Sequence, residues 1–94
     1  MKIHELKTDP ELFDDVWLGK KKFEIRFNDR DFNVGDTLWL RKTQFTGEQM
    51  RVESFPLDYT GASILAEIGY ILTGYGLQEG WCILGINVLA LRKE

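Results

Sequence analysis

The sequence has one cysteine, Cys82, so no intrachain disulfide can form and nothing in it asks for an oxidising compartment. It has one histidine, His4, and single members of each kind make no metal-ligand set. Basic charge is not in excess. The formal net charge is -3, so attraction by the whole molecule will not carry it to a phosphate backbone, although a local cluster can still focus a field. No apolar run is long enough for a bilayer: the longest, 81–91, contains Asn87 and is about half of the roughly 20 residues a crossing needs. Met1 to Glu5 has no apolar stretch behind its charge and does not read as a signal peptide. Nothing repeats internally. The glycine-punctuated stretch 74–80 lacks the strand-loop-helix context, the Lys and the Ser or Thr of a phosphate loop. The expectation is a soluble, cytoplasmic protein with no membrane segment, metal or cofactor.

What is present is a chain of 94 residues, 44% apolar and 13% aromatic, enough for one ordered domain around a single core. Charge is uneven: 1–18 is acidic, 19–31 is basic and the remainder is mildly acidic. The basic part coincides with the densest run of polar chemistry, 19–36. Phe23, Ile25 and Phe27 there alternate with Lys22, Glu24 and Arg26, the period of a strand. The pattern predicts the aromatic row on the core and the charged row facing water or a ligand. Asn28, Asp29, Arg30 and Asp31 follow, then a turn at 33–36.

The rest of the chain frames this strand. A short first strand over 3–7 has Ile3 and Glu5 on one side and His4 and Leu6 on the other. Thr8, Pro10 and Glu11 announce a helix with Thr8 as N-cap, and Leu12, Phe13, Val16 and Trp17 form its apolar stripe before Gly19 ends it. A strand over 36–42 sets Leu38 and Leu40 opposite Thr37, Trp39 and Arg41. Residues 43–54 read as a hairpin turning near Thr46-Gly47, with Met50 and Val52 on one face of a strand, and 56–63 as a loop. A strand over 64–72 and a nearly continuous apolar strand over 81–91, expected near the middle of the sheet, complete a mainly β domain spanning 1–94. One or two short helices and five or six strands imply a small curved sheet or partly open barrel.

His4-Glu5-Leu6-Lys7, Gly19 to Arg26, Asn28 to Phe32, Val34-Gly35-Asp36, Gly74 to Leu77 and 81–86 together resemble a family of small uncharacterised bacterial and phage proteins in the ASCH-like branch of the PUA-like superfamily. The resemblance runs over nearly the whole chain and is thinnest over 43–63. It implies a PUA-like pseudobarrel with a cleft beside the charged strand that accepts RNA or a nucleotide. Some ASCH proteins that this chain resembles are small amidohydrolases acting on an acylated cytidine nucleoside. Their pattern has a lysine where Lys21 stands, but a threonine nucleophile where this chain has Glu24, so that covalent route is closed here.

Three functional readings remain. In a binding module, Lys21 or Lys22 and Arg26 contact phosphate, Glu24 and Asn28 pair with a base amine or ribose hydroxyl, and Tyr75 or Trp39 stacks on a base. Arg30 belongs to the same cluster. In an enzyme acting on a modified base, Glu24 is the general base, Lys21 polarises a carbonyl and His4 assists. In a protein-interaction module, the acidic surface and Trp17, Trp39 and Tyr59 carry the contacts. The plain alternative is a solvated strand face paired with Arg41 or Glu53, and an Asn28–Asp31 ladder that only shapes a bend.

Overall fold

In the computed structural model, which describes residues 1–93, the elements follow as β1 (Ile3–Thr8), α1 (Pro10–Trp17), β2 (Phe23–Phe27), β3 (Thr37–Thr43), α2 (Gly47–Val52), β4 (Tyr59–Leu72) and β5 (Trp81–Arg92). One sheet holds all five strands in the order β1-β3-β4-β5-β2, with β1 parallel to β3 and the other neighbours antiparallel. Register shifts between Leu65 and Ala66 and between Ile68 and Tyr70 bend the long β4–β5 pair, because an extra residue on one strand sharpens the local twist. The sheet therefore curls into a half-barrel whose edge strands, β1 and β2, come within side-chain reach of each other.

The core fills the inside of that curl. Leu38, Leu40, Ile64, Ala66, Ile68, Cys82 and Leu84 point inward and are fully buried, as the alternation of β3 foretells. Phe13 and Val16 of α1 pack against them with Trp17 partly buried alongside, as expected, but Leu12, the fourth residue of the predicted stripe, is half-exposed at the helix start. Each buried Leu, Ile, Val or Phe side chain stabilises the fold by about 1.5 to 3 kcal/mol through burial. Gly19 ends α1 in the left-handed region at φ +79, where a side chain would be strained. Gly19 N donates to Val16 O at 3.0 Å and Lys20 N to Asp15 O at 2.9 Å, a Schellman cap.

Several expectations need correction. The N-cap of α1 is Asp9, not Thr8, which ends β1 and is buried. Asp9 makes no side-chain cap in its own helix; its Oδ1 accepts from Gly47 N at 3.0 Å, at the start of α2. Residues 43–54 hold no second strand. Thr46 Oγ1 accepts from Gln49 N at 3.0 Å while Gln49 Oε1 accepts from Thr46 N at 2.8 Å, and this capping box starts α2, which carries Met50 and Val52. The loop assigned to 56–63 stops earlier, since β4 begins at Tyr59. The central strand is β4, and β5 lies between it and β2. Beyond residue 86 the apolar row of β5 is exposed, because β2 pairs only with 81–85.

His4 fixes the start of the parallel pair. Its Nε2 lies 2.9 Å from Asp36 Oδ2, and since a carboxylate only accepts, Nε2 carries the proton. Asp36 also accepts from Asn33 N at 3.1 Å and Lys2 N at 3.2 Å, tying the head of β1 to the turn before β3. These bonds, His4 first, hold the Asp36 pKa down to about 2 against the opposing effect of burial. A carboxylate depressed on folding adds stability above its unfolded pKa, near 3.9, and loses it as pH falls through the folded value. Urea midpoints of the wild type and Asp36→Asn should therefore differ at pH 7 and converge as pH falls from about 4 toward 2; a gap constant across that range would show that the ionised carboxylate is not what binds the turn.

Candidate functional site

The charged row of β2 faces inward, the reverse of the expected orientation. Glu24 is 3% exposed, whereas Phe23, Ile25 and Phe27 stand half-exposed on the outer face. Pairing with β5 sets this phase: Glu24 lies opposite Leu84 and Arg26 opposite Cys82, and cross-strand partners share a face. A period-2 pattern does not state its own phase, and a shift of one residue exchanges every side chain between faces. On the outside Ile25 meets Ile83, and the Phe27 ring meets Trp81 edge-on at 5.8 Å.

A buried carboxylate is costly unless donors surround it, and here both oxygens are engaged. The Schellman turn delivers Lys21, whose own N–H also donates to Asp15 O at 3.0 Å. Lys21 Nζ donates to Glu24 Oε2 and to Phe23 O, each at 2.6 Å. Arg26 grips Glu24 Oε1 through Nε at 3.2 Å and Nη2 at 2.8 Å. The same Nη2 reaches across to β1, to Lys7 O at 3.1 Å and Thr8 Oγ1 at 3.3 Å. Farther along, Arg30 Nη1 donates to Glu5 O at 2.8 Å. Glu5 and Lys7 are alternate residues on the edge of β1 away from β3, so two arginines close the half-barrel where no ladder does.

Two clefts open at this seam and share Ile25 and Arg26 as the ridge between them. One, of about 420 Å³, is bounded by Lys7, Thr8, Lys21 and Glu24 together with the apolar Leu12 and Phe23. The other, of about 300 Å³, is bounded by Leu6, Phe27, Arg30, Phe32 and Trp81. Lys21, Glu24 and Arg26 leave one positive charge in excess. Glu24 accepts one bond from Lys21 and two from Arg26, so its carboxylate is committed to holding these two cations in place. Cys82, behind the ridge, donates through Sγ to Arg26 O at 3.4 Å, and burial pushes its thiol pKa up, so it behaves as the small hydrophobe its strand suggests.

The other candidates are placed as follows. Arg30 is at the seam. Lys22 is exposed and borders neither cleft; its carbonyl accepts from Ile86 N at 3.1 Å. Asn28 shapes the bend, accepting from Phe32 N at 3.1 Å and donating its own N–H to Gly80 O at 2.7 Å. Tyr75, at φ +52, is 92% exposed on its loop and borders neither cleft. His4 is engaged in the Asp36 clamp. Trp39 is on the outer face, stacked with Arg41, whose guanidinium also covers Tyr59 and meets Glu5 at 2.7 Å. Among the described residues no group of three His, Cys, Asp or Glu is near enough to share a metal, and no helix is long and apolar enough to cross a membrane. Sequence reasoning missed the acceptors on β1 and the ring wall of Phe27, Phe32 and Trp81. A backbone carbonyl carries no residue-type signal, but a strand edge left unpaired beside arginines would have pointed to it.

Comparison with known proteins assigns the chain to a family. Residues 3–86 match the family model described as "Domain of unknown function (DUF3850)". The chain belongs to the DUF3850 family. It is also similar to an "Uncharacterized 12.9 kDa protein in GpA 3'region" of Escherichia phage P2, 42% identical over 66 residues, a match covering 66% of this chain and 58% of the phage protein. The match thus spans less than two thirds of that relative's length. Every seam residue lies inside the stretch that matches DUF3850.

The ion cluster makes a coupled prediction. Arg26→Met should cost about 2 to 4 kcal/mol, because Glu24 stays buried with Lys21 as its remaining charged partner. In a Glu24→Gln background the same change should cost at least about 1 kcal/mol less. Urea unfolding of the four proteins gives the cycle, and strictly additive costs would contradict the dependence of Glu24 on Arg26.

Proposed function

We propose that this DUF3850 domain is a binding module for RNA or a nucleotide, with a phosphate held at Lys21 and Arg26 in the seam cleft. The observation that carries the reading is the excess positive charge lining an open cleft in an otherwise acidic protein. Three donors of Arg26 have protein acceptors only through Nε and Nη2; Nη1 finds none among the described residues. A guanidinium fixed on one side by Glu24 and free on the other is pre-organised for an oxyanion. The resemblance to the ASCH-like branch of the PUA-like superfamily, with its cleft beside this strand, supports a nucleic-acid or nucleotide ligand. A single buried thiol fits work in the reducing cytoplasm.

Binding is favoured over catalysis because Glu24, the residue standing where the amidohydrolases carry a nucleophile, is fully neutralised. A titration of the labelled protein with short single-stranded RNA should shift Lys21, Arg26 and Thr8 in a saturable manner. Log affinity should fall with log salt at a slope of about -0.7 to -1.4, as for one or two phosphates. Lys21→Gln should weaken binding roughly tenfold or more, the worth of a charge-assisted bond. Salt-insensitive affinity, or shifts elsewhere, would contradict the reading, and decay of an acylated nucleoside in the same tubes would replace it with the hydrolase.

A further inference from the structure

The two clefts are of similar size, differ in lining and share one cation. The 420 Å³ cleft has Lys21, Glu24 and Thr8 beside the apolar side chains of Leu12, Phe23 and Ile25. The 300 Å³ cleft is walled by rings, Phe27, Phe32 and Trp81, with Arg30 at its border. Each is at or above the lower end of the range for small-molecule sites, roughly 300 to 1,000 Å³. Between them stands Arg26, held from the Glu24 side. The ring wall is itself braced: a side-chain carbon on Gly80 would lie 2.5 Å from Phe27 Cε1, and Gly80 has φ +88, so the residue before Trp81 leaves room only for glycine.

We infer that the site reads two nucleosides joined by one phosphodiester, with the phosphate on the Arg26 ridge, one nucleoside in the larger cleft and its neighbour against Phe27 and Trp81. This rests on the nucleotide-binding reading and narrows its ligand class from a mononucleotide to a step of single-stranded nucleic acid. The chemistry is that of single-strand recognition elsewhere: a cation takes the backbone while half-exposed rings offer faces to a base whatever its identity. Phe27 and Trp81 both border the cleft and keep exposed surface although they meet each other edge-on. Arg30, already bonded to Glu5 O, narrows the far end, with Asp29 beside it at 3.9 Å as its counter-charge.

The test compares uridine monophosphate, the ribodinucleotide UpU and its deoxy counterpart by calorimetry, on the wild type and on Trp81→Leu. UpU should bind roughly tenfold or more tightly than the monophosphate, the contribution of one stacked base. Trp81→Leu should remove that gain, so that UpU and the monophosphate bind with equal affinity. Phe27→Leu provides the same comparison if Trp81→Leu lowers the melting temperature so far that it does not fold. A gain confined to UpU identifies the ligand as RNA, and an equal gain with the deoxy form identifies any single strand. Equal affinity for UpU and the monophosphate, or a gain that survives both substitutions, would overturn the two-cleft site and leave the single-cleft reading standing. Absence of binding by all three would overturn both.

Discussion

The structure depends on how two sheet edges are satisfied without pairing. A five-stranded sheet has two edges, and in this fold both are brought to one seam. Carbonyls of Glu5 and Lys7 on β1 face arginines carried by β2 and the bend after it. Side-chain donors close the barrel there because a guanidinium can reach where a strand cannot, and it can serve several acceptors at once. Glu24 is the counter-charge that makes this possible: it holds Arg26 flat against the interior and is itself held by Lys21. Removing any member leaves a buried group without its partner.

The same arrangement explains why chemistry is concentrated at the seam. A ladder would have sealed it, whereas side chains leave gaps on either side of Arg26, and those gaps are the clefts. In the proposed binding site, closure and ligand binding share groups but not atoms. Arg26 uses Nε and Nη2 for the fold, and its Nη1 has no acceptor among the described residues. His4 is separate from this economy of donors; it fixes the register of β1 on β3 and so sets where the free carbonyls fall.

Much of the fold was legible in local patterns. Gly19 announced the end of α1, and the alternation around Leu38 and Leu40 gave the inner face of β3. The three residues that cluster at the site, Lys21, Glu24 and Arg26, were already together in the sequence. Their direction was not legible, because Phe23-x-Ile25-x-Phe27 is more apolar than the row that is in fact buried, and only pairing with Leu84 and Cys82 decides the phase. Thr46-x-x-Gln49 was a legible helix start that β-like Met50 and Val52 obscured. Tyr75 and Trp39 were chosen for ring chemistry alone, and distance along the chain gave no means of knowing that one stands on a loop tip and the other on the outer face. Trp81, in contrast, was read as core strand and forms a cleft wall.

The most direct measurement of the central interaction is the side-chain nitrogen spectrum of the arginines. If Arg26 is clamped by Glu24, Thr8 and the Lys7 carbonyl, its Nε–H should exchange with water more slowly than those of exposed Arg51 and Arg92, and its two terminal nitrogens should give separate signals. Exchange and averaging indistinguishable from Arg51 would mean that the seam is open in solution and that Arg26 does not hold it.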